Sequence, residues 1–167
     1  KSESLSLARK LAALCHKYKA LFIVNDHADL AVLSEADGLH LGQQDLPVAE
    51  ARKVLRPNQI TGRSNALLEE AIVSQDQQAD YIAVGSIFPT TTKENTRPAG
   101  LETLKRVKEA VSLPVVAIGG IKGETVGEVI RAGADAICVS SAVGLAKNPK
   151  AAVEELMEEI RKAGNKR

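Results

Sequence analysis

Residues 81–93 read YIAVGSIFPTTTK. Tyr81, Ile82, Ala83 and Val84 make a short continuous apolar run, the composition of a strand buried on both faces. The run stops at Gly85 and gives way to a loop with three consecutive threonines, Thr90, Thr91 and Thr92, followed by Lys93. Hydroxyls and backbone N–H groups bind phosphate oxygens and a lysine adds a compact positive charge, so this is a candidate anion site at a strand end. A plain solvated turn is the competing reading.

The same pattern recurs on either side. Upstream, short apolar runs occupy residues 21–24, 38–41 and, more weakly, 59–62; downstream they occupy 114–118 and 136–139. Between them, helical periodicity predicts helices over residues 4–19, 28–34, 48–55, 66–77, 101–111, 124–132 and 149–162. Pro47 suits the first turn of the third of these, and Gly133 the C-terminal stop of the sixth. Strict alternation of buried strands with helices predicts a parallel sheet, because each crossover returns the chain to the same edge. No linker or shift in composition divides residues 1–167, which reads as one α/β domain.

Composition bounds the chemistry. Lys+Arg 22 against Asp+Glu 21 leaves a net charge of +1, which argues against a broad nucleic-acid surface, and 2% aromatic residues argue against base stacking. Cys15 and Cys138 lie in apolar runs that predict core positions and a reduced, cytoplasmic protein. No run of about 18 apolar residues and no basic-then-apolar leader stands out. The first residue is Lys1 rather than methionine, which suggests an N-terminus altered by processing or truncation.

Polar residues gather after the strands: Asn25-Asp26, residues 42–45, Ser64, residues 90–93, Gly119-Gly120 and Ser140-Ser141. In parallel α/β folds that end carries the active site. Asp26 and Asp45 follow neighbouring strands, roughly 4.8 Å apart, which suits a Mg²⁺ held by two carboxylates and substrate phosphate; helix or loop capping is the alternative for each. Gly119-Gly120 and Ser140-Ser141 match the phosphate site that barrels build at their last two strand ends, although the glycines also suit a bare tight turn. Of the histidines, His16 reads as a surface residue, His40 as a satisfied interior one, and His27 as solvated or supporting Asp26. No Ser/His/Asp or Cys/His grouping suggests a covalent nucleophile.

The segments FIVNDHADLA, ADGLHLGQQDLP, GRSNALLEEA, DYIAVGSIFPTTTKE, PVVAIGGI and GADAICVSSAV resemble, in order and spacing, thiamine phosphate synthase. The resemblance covers nearly the whole chain, and its most specific parts are the Asn-Asp pair, the Gly-Gln-x-Asp turn and the Pro-Thr-x-Thr-Lys loop. It implies a (β/α)₈ TIM barrel that joins a hydroxymethylpyrimidine diphosphate to a thiazole phosphate and releases diphosphate. By resemblance, Asp26 and Asp45 hold Mg²⁺; Asn25, Ser64 and Lys93 bind the pyrimidine diphosphate; Thr90, Thr91, Thr92, Gly120, Ser140 and Ser141 hold the thiazole phosphate. Lys93 is also the expected catalytic countercharge to the departing diphosphate.

Two departures stand out. Where the family usually carries a histidine after Ser-Thr or Ser-Cys, this chain reads Gly62-Arg63-Ser64-Asn65. Only about six of the barrel's eight strands are evident. The family's first strand, and a second ending in a Gln-Leu-Arg-Glu-Lys motif that binds diphosphate, are not found; spacing makes Lys1 the last residue of that motif. The expectation is an N-terminally incomplete form, or a barrel completed by a further segment or partner chain, with weak or no activity in the isolated 167 residues. A thiazole tautomerase-like enzyme and a non-catalytic phosphate-binding module are the alternatives; the carboxylate pair and Lys93 count against the tautomerase. The expected partners are small phosphorylated substrates, with no nucleic acid and no membrane.

Overall fold

The computed structural model describes residues 2–90 and 97–164. In chain order the elements are α1 (Ser2–Lys17), β1 (Ile23–Asn25), α2 (Ala28–Leu33), β2 (Gly38–Leu41), α3 (Val48–Arg52), β3 (Ile60–Asn65), α4 (Leu68–Asp76), β4 (Tyr81–Val84), α5 (Gly100–Ala110), β5 (Val115–Ile118), α6 (Gly123–Arg131), β6 (Ala136–Cys138), α7 (Ser141–Gly144) and α8 (Pro149–Gly164). The strands form one six-stranded sheet in the order β1-β2-β3-β4-β5-β6. Sequential order with helical crossovers is the wall of a (β/α) barrel, with six strands among the described residues.

The chain divides into two compact units, Lys1–Ser64 with Ser74–Tyr81, and Asn65–Val73 with Ile82–Arg167. In the first, β1 pairs parallel with β2, and β2 with β3, in a register that sets His40 beside Gly62 and Leu41 beside Arg63. Its core includes Ala31, Leu39, Leu41, Val48 and Ala51, all fully buried. In the second, β4 pairs parallel with β5, and β5 with β6. Ile82, Val84, Leu104, Val107, Val115, Val126 and Val129 are fully buried there. Burying such branched side chains, at about 1.5–3 kcal/mol each, is what holds short strands and helices together.

One device is repeated three times at the N-terminal ends of the strands. Glu35, Gln78 and Gly133 take positive φ and stop the preceding helices. The alanines that follow close each stop, Ala36 N donating to Ala31 O, Ala79 N to Ser74 O and Ala134 N to Val129 O. Next comes an aspartate in each case. Asp37, Asp80 and Asp135 accept the backbone N–H of Phe22, Thr61 and Val115 at 2.7, 2.6 and 2.7 Å. Each carboxylate also meets a basic side chain from the helix before that strand pair: His16, Arg52 and Lys108 respectively. At Asp80 and Asp135 the carboxylate accepts both a backbone amide and a charged donor, the stronger kind of hydrogen bond. The Phe22 amide, opposed by partial burial and helped by His16, holds the Asp37 carboxyl below its ordinary 3.8.

Three expectations are corrected. The first strand begins at Ile23, not Leu21, which is 66% exposed, and its end is exposed too, so it is not buried on both faces. The strand at 136–139 is also not buried: Ala136 and Cys138 are exposed, because β6 lies at an edge of the sheet. Cys138 is therefore no core residue, and Cys15 is only half-buried, since α1 buries Ala8 and Ala12 instead. The short helix α7 was not anticipated; four residues are too few for periodicity to reveal.

Candidate functional site

At the C-terminal ends of β1, β2 and β3 the first unit gathers most of the residues singled out for a metal and a diphosphate. Asn25 is the last residue of β1 rather than a loop residue, and it is exposed. Asp26 follows with φ 64 and gives its backbone N–H to His40 O at 2.8 Å. Aspartate tolerates that left-handed conformation better than most residues, which allows the chain to turn directly off the strand with an exposed carboxylate. Asp45 lies in a closed turn: its Oδ2 accepts the Gly42 N–H at 2.7 Å. A Cβ on residue 42 would come within 2.9 Å of that oxygen, so glycine is what lets the carboxylate approach. Asp45 is thus a turn-capping residue whose carboxylate is oriented by the backbone. It does not cap α3, whose N-cap is Pro47.

Ser64 lies inside β3, which runs on to Asn65 beyond its last pair with β2, Leu41 with Arg63. Its Oγ is 2.8 Å from His40 Nε2, and His40 Nδ1 is 2.9 Å from the Tyr81 hydroxyl. The His40 and Tyr81 rings stack at 5.6 Å with 24° between their planes. His40 is satisfied at both ring nitrogens, as expected, but it is half-buried rather than interior, and its partners are the candidate ligand residue Ser64 and the first residue of the Tyr81 strand. Gln43 Nε2 donates to Ser64 O at 2.7 Å, tying the turn after β2 to the end of β3. Tyr81 and Gln43 were not singled out from the sequence. In the sequence the tyrosine stands only as part of an apolar run, and the glutamine only as part of a turn motif.

The second unit holds the residues singled out for the other phosphate. After β4 the chain bends at Ile87 and Phe88 while staying hydrogen-bonded to the end of β5: Ile87 N donates to Ile118 O and Phe88 N to Gly119 O, at 2.9 and 3.0 Å. Gly119 and Gly120 both have positive φ. A Cβ on Gly119 would lie 2.6 Å from Ser86 Cβ, and one on Gly120 would lie 2.6 Å from Pro89 O. The glycines are therefore required by the protein's own loop, whatever ligand approaches it. Thr90 is half-buried. Ser140 is the N-cap residue of α7 without a side-chain capping bond, and both Ser140 and Ser141 are exposed. Ser141 borders a cleft of about 260 Å³ whose wall carries Lys122 beside Glu124 and Glu155.

The returning limb of the loop is fastened at Arg97. Its carbonyl accepts the Ser86 N–H, while its guanidinium grips Glu70 at 2.7 and 3.0 Å. Glu70 Oε2 also accepts the N–H groups of Ala66 and Leu67. Burial works against the charge on Glu70, but the Arg97 and amide hydrogen bonds outweigh it and hold the carboxyl below its ordinary range. Lys1, Thr91, Thr92 and Lys93 lie outside the described residues.

Among the described residues no three His, Cys, Asp or Glu side chains cluster as a protein-only metal site. The donors at hand are the two carboxylates of Asp26 and Asp45, whose hard oxygens suit Mg²⁺. No helix among the described residues is long and apolar enough to cross a membrane.

A (β/α)-barrel wall with polar residues at its strand ends defines the class: a TIM-barrel α/β protein. A family model described as thiamine monophosphate synthase matches residues 1–143. The chain is 46% identical over 164 residues to the thiamine-phosphate synthase of Shouchella clausii, covering 98% of this chain and 78% of that one. It is 46% identical over 154 residues to the thiamine-phosphate synthase of Synechococcus sp. (strain WH7803), but spans only 44% of that relative's length while using 92% of its own. Thiamine phosphate pyrophosphorylase from Pyrococcus furiosus superimposes with a TM-score of 0.90 at 40% identity, over 97% of this chain and 78% of that one. The chain belongs to the thiamine monophosphate synthase family.

Proposed function

We propose that the protein is a transferase that joins hydroxymethylpyrimidine diphosphate to thiazole phosphate, giving thiamine phosphate and diphosphate. The observation that carries this reading is the 46% identity to a thiamine-phosphate synthase over 98% of the chain. The C–O bond between the pyrimidine methylene and the diphosphate breaks first, its electron pair leaving with the diphosphate oxygen. The aminopyrimidine stabilises the cation, and the thiazole nitrogen forms the new C–N bond. Catalysis of this kind needs positioned reactants and stabilised charge more than a dedicated base.

In this reading Asn25 and Ser64 bind the pyrimidine diphosphate, with Lys93 and Lys1 as further cationic contacts. Asp26 and Asp45 are the residues that would hold Mg²⁺, which when bound offsets charge on the departing diphosphate. The Gly42 N–H orients the Asp45 carboxylate, and the left-handed turn at Asp26 sets its carboxylate at the end of β1. Thr90, Thr91, Thr92, Gly120, Ser140 and Ser141 hold the thiazole phosphate. The presence of Ser140-Ser141 at the start of a short extra helix after β6 supports this, since barrels commonly bind phosphate there. Cys15 and Cys138 are free thiols, which accords with a cytoplasmic setting.

Calorimetric titration of inorganic diphosphate, with and without Mg²⁺, tests the metal assignment on the native chain and on Asp26→Ala. Mg²⁺-dependent binding that the variant loses supports it, and Mg²⁺-independent binding would sink it. Incubation with both phosphorylated substrates, read by the appearance of thiamine phosphate, tests the reaction itself.

A further inference from the structure

Ser64, His40 and Tyr81 form one chain of hydrogen bonds within the first unit, running from the Tyr81 hydroxyl through both imidazole nitrogens to the Ser64 hydroxyl. Its geometry follows from the strands. Gly62 and Ser64 are two residues apart on β3 and so share a face, and the parallel register places His40 beside Gly62. Because residue 62 has no side chain, the Tyr81 ring occupies that position, where a Cβ would meet its Cζ at 1.9 Å. The ring stacks on His40 and presents its hydroxyl to Nδ1.

A neutral imidazole has one donor and one acceptor, so the chain has two polarities. In one, Ser64 spends its proton on Nε2 and turns lone pairs towards any approaching anion. In the other, Tyr81 donates to Nδ1, Nε2–H donates to Ser64 Oγ, and the serine proton is left to be donated onward. An anion beside Ser64 is repelled by the first arrangement and bound by the second.

We propose that His40 and Tyr81 are positioning residues that hold Ser64 as a hydrogen-bond donor to a diphosphate oxygen. The proposal rests on the assignment of Ser64 to the pyrimidine diphosphate. Tyr81 acts through His40, and His40 acts through Ser64.

The test is a double-mutant cycle on the affinity for inorganic diphosphate in the presence of Mg²⁺, using Tyr81→Phe, Ser64→Ala and the double variant. Tyr81→Phe is expected to weaken binding about fivefold, the size of one net hydrogen bond. In the Ser64→Ala background the same substitution is expected to change nothing further. Additive losses would overturn the proposal. Nitrogen NMR of the His40 imidazole supplies a signature that general destabilisation does not move: saturation with diphosphate should fix the Nε2–H tautomer, and Tyr81→Phe should abolish that fixation. An Nδ1–H tautomer in the diphosphate-bound protein would also overturn it. Should Tyr81→Phe disturb folding, His40→Gln, which keeps a donor near Nε2, is expected to retain more affinity than His40→Ala. A native chain that binds no diphosphate sinks the functional reading together with this proposal, whereas a native chain that binds it with additive variants sinks the proposal alone.

Discussion

The Tyr81 ring occupies the side-chain space of Gly62: a Cβ built on residue 62 would stand 1.9 Å from Tyr81 Cζ and 2.3 Å from its Cε atoms. The ring cannot slide away without losing its hydroxyl contact with His40 Nδ1. Gly62→Ala is therefore expected to destabilise the fold by about 2 kcal/mol, as overpacking a filled site does. Urea unfolding monitored by circular dichroism checks this. An unchanged midpoint would mean that the ring is not held there.

Asp80 links three structural elements. Its Oδ2 accepts the Thr61 N–H and hydroxyl and meets the Arg52 guanidinium, and Thr61 is fully buried. Asp80→Ala strands a buried amide, at a cost of about 2 kcal/mol. Arg52 keeps the carbonyls of Gln59 and Gln78 as acceptors, so Arg52→Ala removes three bonds while leaving the Thr61 amide satisfied. The aspartate substitution is expected to lower the urea midpoint more than the arginine one, and the reverse order would refute the capping role.

The equivalent aspartate of the first strand pair makes a pH prediction. The folded-state pKa of Asp37 lies below its ordinary 3.8, chiefly through the Phe22 N–H, so the unfolded chain takes up this proton first as pH falls. Its stabilisation is complete above that ordinary value and is lost as pH drops through the lower folded one. Asp37→Asn should flatten the dependence of stability on pH in the acid range below about pH 4. Denaturant titrations at a series of pH values measure this directly.

The sequence made the fold legible through its repeated apolar runs and their polar ends, and β2 and β4 fall where the pattern puts them. It did not reveal the aspartate device. That device depends on the amide of a residue 15 to 20 positions away and on left-handed helix stops at Glu35 and Gln78, where no glycine marks the turn. The candidate site was readable at Asp26, Asp45 and Ser64 as residue types. The supports of Ser64 were not readable, because His40 and Tyr81 are 41 positions apart and meet only through Gly62. Burial at the sheet edges was overestimated for a related reason: an apolar run such as residues 136–139 does not reveal whether a neighbouring strand covers it.

Glu70 and Arg97 should differ in cost although they form one ion pair. Arg97 is 53% exposed at its side chain, so solvent screens its half of the interaction, and Arg97→Ala is expected to cost below about 1 kcal/mol. Glu70→Ala also releases the Ala66 and Leu67 amides, the first of them on a residue that is only 4% exposed. A larger loss, about 1–2 kcal/mol, follows. Equal losses in thermal unfolding would show that the amides contribute nothing.

Gly120 and the serines after β6 separate a structural role from a binding one. Gly120→Ala forces a non-glycine residue to φ +65 and drives its Cβ to 2.6 Å from Pro89 O, for a cost of about 2 kcal/mol or more, with or without ligand. Reduced phosphate binding by that variant would therefore not by itself identify a phosphate contact. Ser140 and Ser141 are exposed, so replacing either by alanine should change stability by no more than about 0.5 kcal/mol. If these hydroxyls hold the thiazole phosphate, the double replacement lowers affinity for thiazole phosphate severalfold while the melting temperature stays where it was. Unchanged affinity in that variant would move the phosphate away from the start of α7.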